Sequence, residues 1–502
     1  MAPAFRWRLP PFARPVVEPD VTGAPTLRRH RIVGSALYAL LLAGCFAKVE
    51  NLPALTSPPV FGPVAEASPD LLVGLAISGG GSRAATFAAG VLEALARVPV
   101  NDATGQRSVL ERVQYISSVS GGSLATAYYA ARKPPGADPM LAAGALSPAY
   151  AEFFKDYKGA MQEDFERPAA LRQLIFFRAF NPTKLAYSLS EVWDGRFFHE
   201  MTFADLYARE QKGDIPRIIL NGTSYNSGRR FAFTTLPAAD FDYDFVDLLL
   251  NDLMRRGQQV SQEGTAIIRQ NLTAAKTQFL PLTFERIGAD HHALRLSLGV
   301  ASSASFPPAV GPVTYSTAGR PPYLHVGDGG LFDNLGTESL TTLFLKKMPR
   351  GSPKRALIIV VDAAFPFSVL ESVLNDKPKG FKVFTDDPSR IVGIMEERAN
   401  AYQIMLWDAL RTQDIVLPAF ANLRVEVLRH TDLDWSGYSD LPRECRAEFP
   451  QDADGDTIKK EVAQIPTLFR ITKCHGALMI QAGQKVVEKH RARIVEFLQR
   501  GR

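Results

Sequence analysis

The chain has 502 residues, 46% of them hydrophobic and 22% charged, which suits a globular protein with a large core and excludes disordered or fibrous classes. Net charge is +5, and residues 1–44 carry most of the excess, with six Arg against two acids. The rest is close to neutral, so nothing in it points to a nucleic-acid partner.

Leu27 to Arg31 is a basic segment, and Ile32 to Leu42 an apolar one that ends in Leu42-Ala43-Gly44-Cys45. The apolar stretch is shorter than the roughly 20 residues of a membrane span and has the form of a secretory signal. Leu-Ala-Gly-Cys resembles a bacterial lipobox, in which Cys45 takes the lipid. Phe46 follows, with no Asp to favour inner-membrane retention. The expectation is a signal peptide over residues 1–45 and an envelope lipoprotein tethered at the outer membrane; the alternative is an uncleaved N-terminal anchor. Residues 46–69, with Pro53, Pro58, Pro59, Pro63 and Pro69, read as a tether.

Leu71 to Ile77 is a continuous apolar run, as in a buried parallel strand. It enters Ser78-Gly79-Gly80-Gly81-Ser82-Arg83, after which Phe87, Val91, Leu92 and Leu95 mark one face of a helix. Val113 to Ile116 is a second short strand, ending in Ser118-Val119-Ser120-Gly121-Gly122, and a helix follows from Leu124. Strand, glycine turn and helix, twice over, imply a parallel sheet covered by helices. Residues 140–215 read as a mostly helical insertion. Within it Leu171 to Phe180 is either a lid or interfacial contact, or a core helix; the core helix is favoured. Strand signals return at 218–223 and 231–235. Leu294 to Leu298 leads into Ala301 to Pro308, and Tyr323 to Val326 into Gly327-Asp328-Gly329-Gly330. Ala356 to Asp362 is the clearest buried strand. Residues 70–370 form the predicted catalytic core, and 371–502 complete the same domain. Cys445 and Cys474 are an even pair in an exported chain; a disulfide and two buried thiols both remain open. No spacing suggests a metal site, and no cofactor is expected.

A serine on a strand-to-helix turn needs small neighbours and gains from the helix N-terminus. Ser120 has both. The glycines of a loop such as Gly79-Gly80-Gly81 can aim N–H groups at an oxyanion without side-chain obstruction. A nucleotide P-loop is excluded because the lysine is missing. A dinucleotide fingerprint matches Gly79, Gly81 and Ala84 but lacks its acidic strand end and leaves Ser120 and Asp328 unexplained. Arg83 could pair a substrate phosphate or order the loop. Asp328 sits in a distinctive pattern, and an Asp can act as base where its site is partly desolvated. His430 and His475 are candidates for a histidine-dependent triad.

In this order, Gly-Gly-Gly-x-Arg, x-Ser-Gly-Gly and Asp-Gly-Gly resemble the patatin-like phospholipase family, over roughly residues 71–365. The Ser78 to Ala84 version is similar to the cytosolic phospholipase A2 relatives. The resemblance implies a three-layer α/β/α fold with a mainly parallel central sheet. It also implies a Ser120–Asp328 dyad without histidine, an oxyanion hole at Gly79, Gly80 and Gly81, and a (lyso)phospholipid or other lipid ester as substrate at a membrane surface. Ser78, Ala84 and Ser118 depart from the family pattern, all as small residues. Other readings are a histidine-dependent esterase and a catalytically silent lipid-binding lipoprotein.

Overall fold

The computed structural model describes residues 48–66, 68, 70–102, 105–136, 138–175, 178, 181–243, 261–319, 321–348, 352–365, 393–403, 405 and 422–499. The chain divides into Met1–Phe46 and Ala47–Arg502, and all described residues belong to the second unit. The expected signal peptide and Cys45 lie outside them.

The framework is a nine-stranded sheet. Its strands are β1 (Val49–Leu52), β2 (Leu71–Ile77), β3 (Tyr115–Val119), β4 (Arg217–Ser224), β5 (Arg230–Thr234), β6 (Val313–Thr317), β7 (Tyr323–Asp328), β8 (Arg355–Asp362) and β9 (Leu423–Arg429). The order is β1-β6-β7-β4-β3-β2-β8-β9, with β5 beside β4. The run β9-β8-β2-β3-β4 is parallel. Strand β7 joins β4 antiparallel, so the carboxyl ends of β3 and β7 lie level on opposite sides of β4, with Val119 opposite Asn221 and Asp328 opposite Gly222.

Strand β2 and residues 356–361 of β8, at the centre of the sheet, are continuous apolar runs because both sheet faces are covered there. Leu71, Val73, Leu75 and Ile77 of β2 pack with helices α1 (Gly81–Arg97), α2 (Gly121–Arg132) and the long C-terminal helix Lys473–Gln499. Leu72 and Ala76 point the other way, to Leu340, Leu343 and Phe344 of the helix Thr337–Lys347. This alternation, period two on a strand, produces the three layers.

Two expectations change. Residues 46–69 are not a free tether where described: β1 pairs in parallel with β6, and Phe61 is buried against Tyr207, His291 and His292. Leu52 and Phe61 supply enough apolar surface to hold a proline-rich segment that cannot form a central strand. Leu296–Ser303, given no element by the sequence, is a helix. The insertion is helical as expected, but the favoured core helix over Leu171 to Phe180 does not hold where described: Leu171, Leu174 and Ile175, at the end of helix Glu166–Ile175, are 57%, 66% and 58% exposed, and residues 176, 177, 179 and 180 lie outside the described residues. Among the described residues no helix is long and apolar enough to cross a membrane. Cys445 and Cys474 form a disulfide, with Cα atoms 5.0 Å apart.

Candidate active site

Strand β3 delivers Ser120 to a sharp turn. Its φ of 52° and ψ of −121° are unusual for a residue with a Cβ, a strain of about 1–3 kcal/mol that surrounding contacts must hold. Those contacts are specific. The Ser120 N–H donates to Ser303 Oγ at 3.1 Å, and Ser303 Oγ donates to the Asn221 carbonyl at 2.5 Å. Asn221 Nδ2 in turn donates to Ser117 Oγ and to the Ser118 carbonyl. The end of helix Leu296–Ser303 thus locks the turn to β4.

The turn also lies directly on the glycine loop. A Cβ on Gly121 would sit 1.9 Å from the Gly81 carbonyl oxygen, and one on Gly122 2.5 Å from that of Ser78. Gly121→Ala must therefore push the two loops apart. It is expected to slow acylation of Ser120 by about a hundredfold and to destabilise the fold by about 1–3 kcal/mol. Fluorophosphonate inactivation rates and thermal unfolding of the variant check both.

Beyond β2, the Ser78 N–H donates to the Val361 carbonyl at 3.0 Å, and the Ala363 N–H donates to Ser78 Oγ at 2.8 Å. The Gly79 N–H is committed to the Asn334 carbonyl at 2.9 Å, and that of Ser82 to Leu468 at 2.7 Å. Among the described residues the N–H groups of Gly80 and Gly81 have no protein acceptor. Gly80 at φ 138° and Gly81 at φ 59° take backbone conformations that side chains rarely allow. Both α1 and α2 begin here without an acidic residue in the first turn, so two positive helix ends face the same space.

Asp328 closes β7. Its N–H donates to the Ser305 carbonyl at 3.0 Å, and its Oδ1 accepts from the Gly330 N–H at 2.8 Å. Its Oδ2 has no hydrogen bond of standard geometry. The side chain is fully buried. Burial raises its pKa to about 7, partly opposed by the Gly330 N–H and the Ser120 hydroxyl. The structure therefore brings together Ser120, a carboxyl that titrates near neutrality, and two free N–H groups.

Arg83 is placed differently from a phosphate ligand. It is fully buried; its Nε donates to the Ala363 carbonyl at 2.9 Å and its Nη1 to that of Ile465 at 2.6 Å. Burial lowers its pKa to about 10, against the pull of Asp362 and Glu396, which leaves it charged at neutral pH. This geometry fits the loop-ordering alternative rather than substrate pairing.

The histidines lie elsewhere. The His430 ring is buried, with Nδ1 3.1 Å from the Asp362 carbonyl. Burial, and next Arg83, lower its pKa to about 4. His475 Nε2 sits 2.8 Å from Glu461. Neither contacts Ser120 or Asp328 among the described residues.

Asn221, Ser303, Asn334, Leu468 and Glu396 were not singled out by the sequence. Asn221 follows the apolar run of β4, Ser303 lies within the Ala301 to Pro308 segment and Asn334 follows the glycines after Asp328, so each carried a usable signal; Leu468 and Glu396 sit in no pattern. Glu396 Oε1 and Asp328 Oδ1 lie 2.6 and 3.1 Å from the position a Cβ on Gly330 would take. Burial, and next Asp328, raise the Glu396 pKa well above the carboxylate range. Among the described residues no group of His, Cys, Asp or Glu is arranged to hold a metal.

The sequence model of the patatin-like phospholipase family matches residues 75–341. No curated protein matches the chain. Among solved structures, human GIVD cytosolic phospholipase A2 aligns at 11% identity and a TM-score of 0.41, covering 94% of this chain and 63% of that one. VipD from Legionella pneumophila aligns at 11% identity and 0.28, covering 90% and 71%. This chain thus spans less than two thirds of the human protein's length.

Proposed function

The chain belongs to the patatin-like phospholipase family, and we propose that it is a lipid acyl hydrolase working through a Ser120–Asp328 dyad. The observation that carries this reading is the buried Asp328 carboxyl, with a pKa of about 7, acted on by the hydroxyl of a serine held on a strained turn. In the proposed reaction Asp328 takes the proton as Ser120 Oγ attacks the ester carbonyl. The developing oxyanion is held by the Gly80 and Gly81 N–H groups, each worth a few kcal/mol. Gly79 shapes the turn but spends its N–H on Asn334. The tetrahedral species collapses to an acyl-enzyme, and Asp328 returns the proton to the departing alcohol. Asp328 then takes a proton from water as that water attacks the acyl carbonyl, and it returns the proton to Ser120 Oγ as the second tetrahedral species collapses and the fatty acid leaves. The environments of His430 and His475 give no support to a histidine base.

The proposed substrate is a glycerophospholipid or lysophospholipid ester. The exposed Leu171, Leu174 and Ile175, beside Arg167 and Arg172, suit contact with a lipid surface. Lipidation at Cys45 and an envelope location belong to the same proposal, since a tether raises the local concentration of bilayer substrate.

Fatty-acid release from mixed phospholipid and lysophospholipid vesicles tests the activity. Release is expected from the folded protein. A folded protein that binds vesicles and releases nothing would instead be the silent lipid-binding lipoprotein.

A further inference from the structure

The family match ends at residue 341, yet a segment far beyond it touches the catalytic turn. The Ile465 carbonyl accepts from Arg83 Nη1 at 2.6 Å. The Leu468 carbonyl accepts from the Ser82 N–H at 2.7 Å. That same oxygen lies 2.4 Å from where a Cβ on Gly81 would sit, with Leu468 N and C both at 3.0 Å. The backbone at 465–468 therefore lies against the glycine loop, on the residues adjoining the two free N–H groups.

This segment is held from both sides. The Phe469 carbonyl accepts from the Phe165 N–H at 2.9 Å, and the Phe469 N–H donates to Glu166 at 3.0 Å. The Phe469 ring meets Trp193 edge to face at 5.6 Å. The segment also lies inside the loop closed by Cys445 and Cys474, which are 29 residues apart and both buried. Cys474 belongs to the first turn of helix Lys473–Gln499. That helix packs closely on α1: a Cβ on Gly90 would sit 2.4 Å from the Ile480 carbonyl, and one on Gly483 2.7 Å from that of Phe87. The disulfide thus ties the segment to the helix that lies along α1, the helix whose first residues form the turn.

We propose that the Cys445–Cys474 disulfide, acting through the Ile465–Phe469 segment it encloses, positions the Gly80–Gly81 turn and Arg83 and so sets the rate at Ser120. The inference rests on the hydrolase reading. Nothing in the enclosed loop supplies a reacting group: two main-chain carbonyls fix the start of α1, and the start of α1 aims the N–H groups. An oxyanion donor lost outright lowers turnover by about 10²–10³-fold, and a donor that is only loosened loses part of that. The segment also bonds to Glu166, at the start of the helix proposed to meet the lipid, so KM is free to change and the proposal is read on kcat.

The test compares wild type with Cys445→Ala/Cys474→Ala, and with Phe469→Ala, which loosens the segment while the disulfide stays intact. In both variants kcat for a micellar lysophospholipid is expected to fall at least about tenfold. Hydrogen–deuterium exchange should rise over residues 79–83 more than in the sheet. A folded double-alanine protein with wild-type kcat and unchanged exchange over 79–83 overturns the proposal. If the double variant does not fold, Phe469→Ala decides on the same two readouts. The exchange measurement needs no turnover. A wild type without activity but with exchange at 79–83 that rises in the variants would therefore count against the hydrolase reading and leave the clamp standing.

Discussion

Ser120→Ala is expected to lower lipid ester hydrolysis by about a thousandfold or more and to abolish fluorophosphonate labelling. Loss of the nucleophile from a preorganised acyl-transfer site leaves only binding and oxyanion stabilisation, which is the basis for that magnitude. The fold should survive unchanged. The turn is held through the Ser120 N–H and its neighbours, not through its hydroxyl, and Ala at φ 52° carries the same strain as Ser. One side effect identifies the dyad. The hydroxyl lowers the Asp328 pKa in wild type, so its removal should leave Asp328 protonated to a higher pH. Carboxyl-carbon NMR of the variant would read this shift.

Asp328→Asn is expected to lower hydrolysis by about 10²–10⁴-fold, the range for a lost general base, while making the protein more stable at neutral and alkaline pH. The sign follows from proton counting. The folded-state pKa is about 7, against an ordinary aspartate value of 3.8. Between those values the folded protein holds a proton that the unfolded chain has released, so stability falls as pH rises through this window. Above about pH 7 the full penalty of a buried carboxylate is present. Asn removes it, so the stability difference should be near zero below pH 4 and reach a few kcal/mol above pH 7. For wild type the same group predicts that kcat/KM rises with pH through about 7, as Asp328 becomes the ionised base. Denaturant unfolding at pH 4 and pH 8, together with a pH–rate profile, checks both halves. A variant that loses activity and stability together would make Asp328 a structural residue.

The parallel core was legible because its strands are buried on both faces and therefore read as unbroken apolar runs, as in Leu71–Ile77 and Arg355–Asp362. The two glycine turns were legible for a related reason. Main chain approaches main chain at Gly121 and Gly81, and such an approach admits no other residue. Asp328 stood out through its flanking glycines, one of which packs on the Asn221 carbonyl. What the sequence hid are groups that act through the backbone. Leu468 and Ile465 contribute carbonyls, which any residue could supply, so their side chains carry no signal. Arg83 could be read two ways from the sequence, as a substrate ligand or as an organiser of the loop; its Nε and Nη1 bonds to main-chain carbonyls fit the second. Residues 46–69 were read from their prolines, and the anchoring by Leu52 and Phe61 was outweighed. Glu396 comes from a helix far along the chain and meets Asp328 only in the fold.

The most direct test of the dyad is to map the covalent adduct of a long-chain fluorophosphonate by mass spectrometry, on wild type, Ser120→Ala and Asp328→Asn in parallel. The account predicts a single adduct on Ser120, absent from Ser120→Ala and formed at least a hundredfold more slowly in Asp328→Asn. An adduct on another serine, or undiminished labelling of Ser120 in Asp328→Asn, would contradict it.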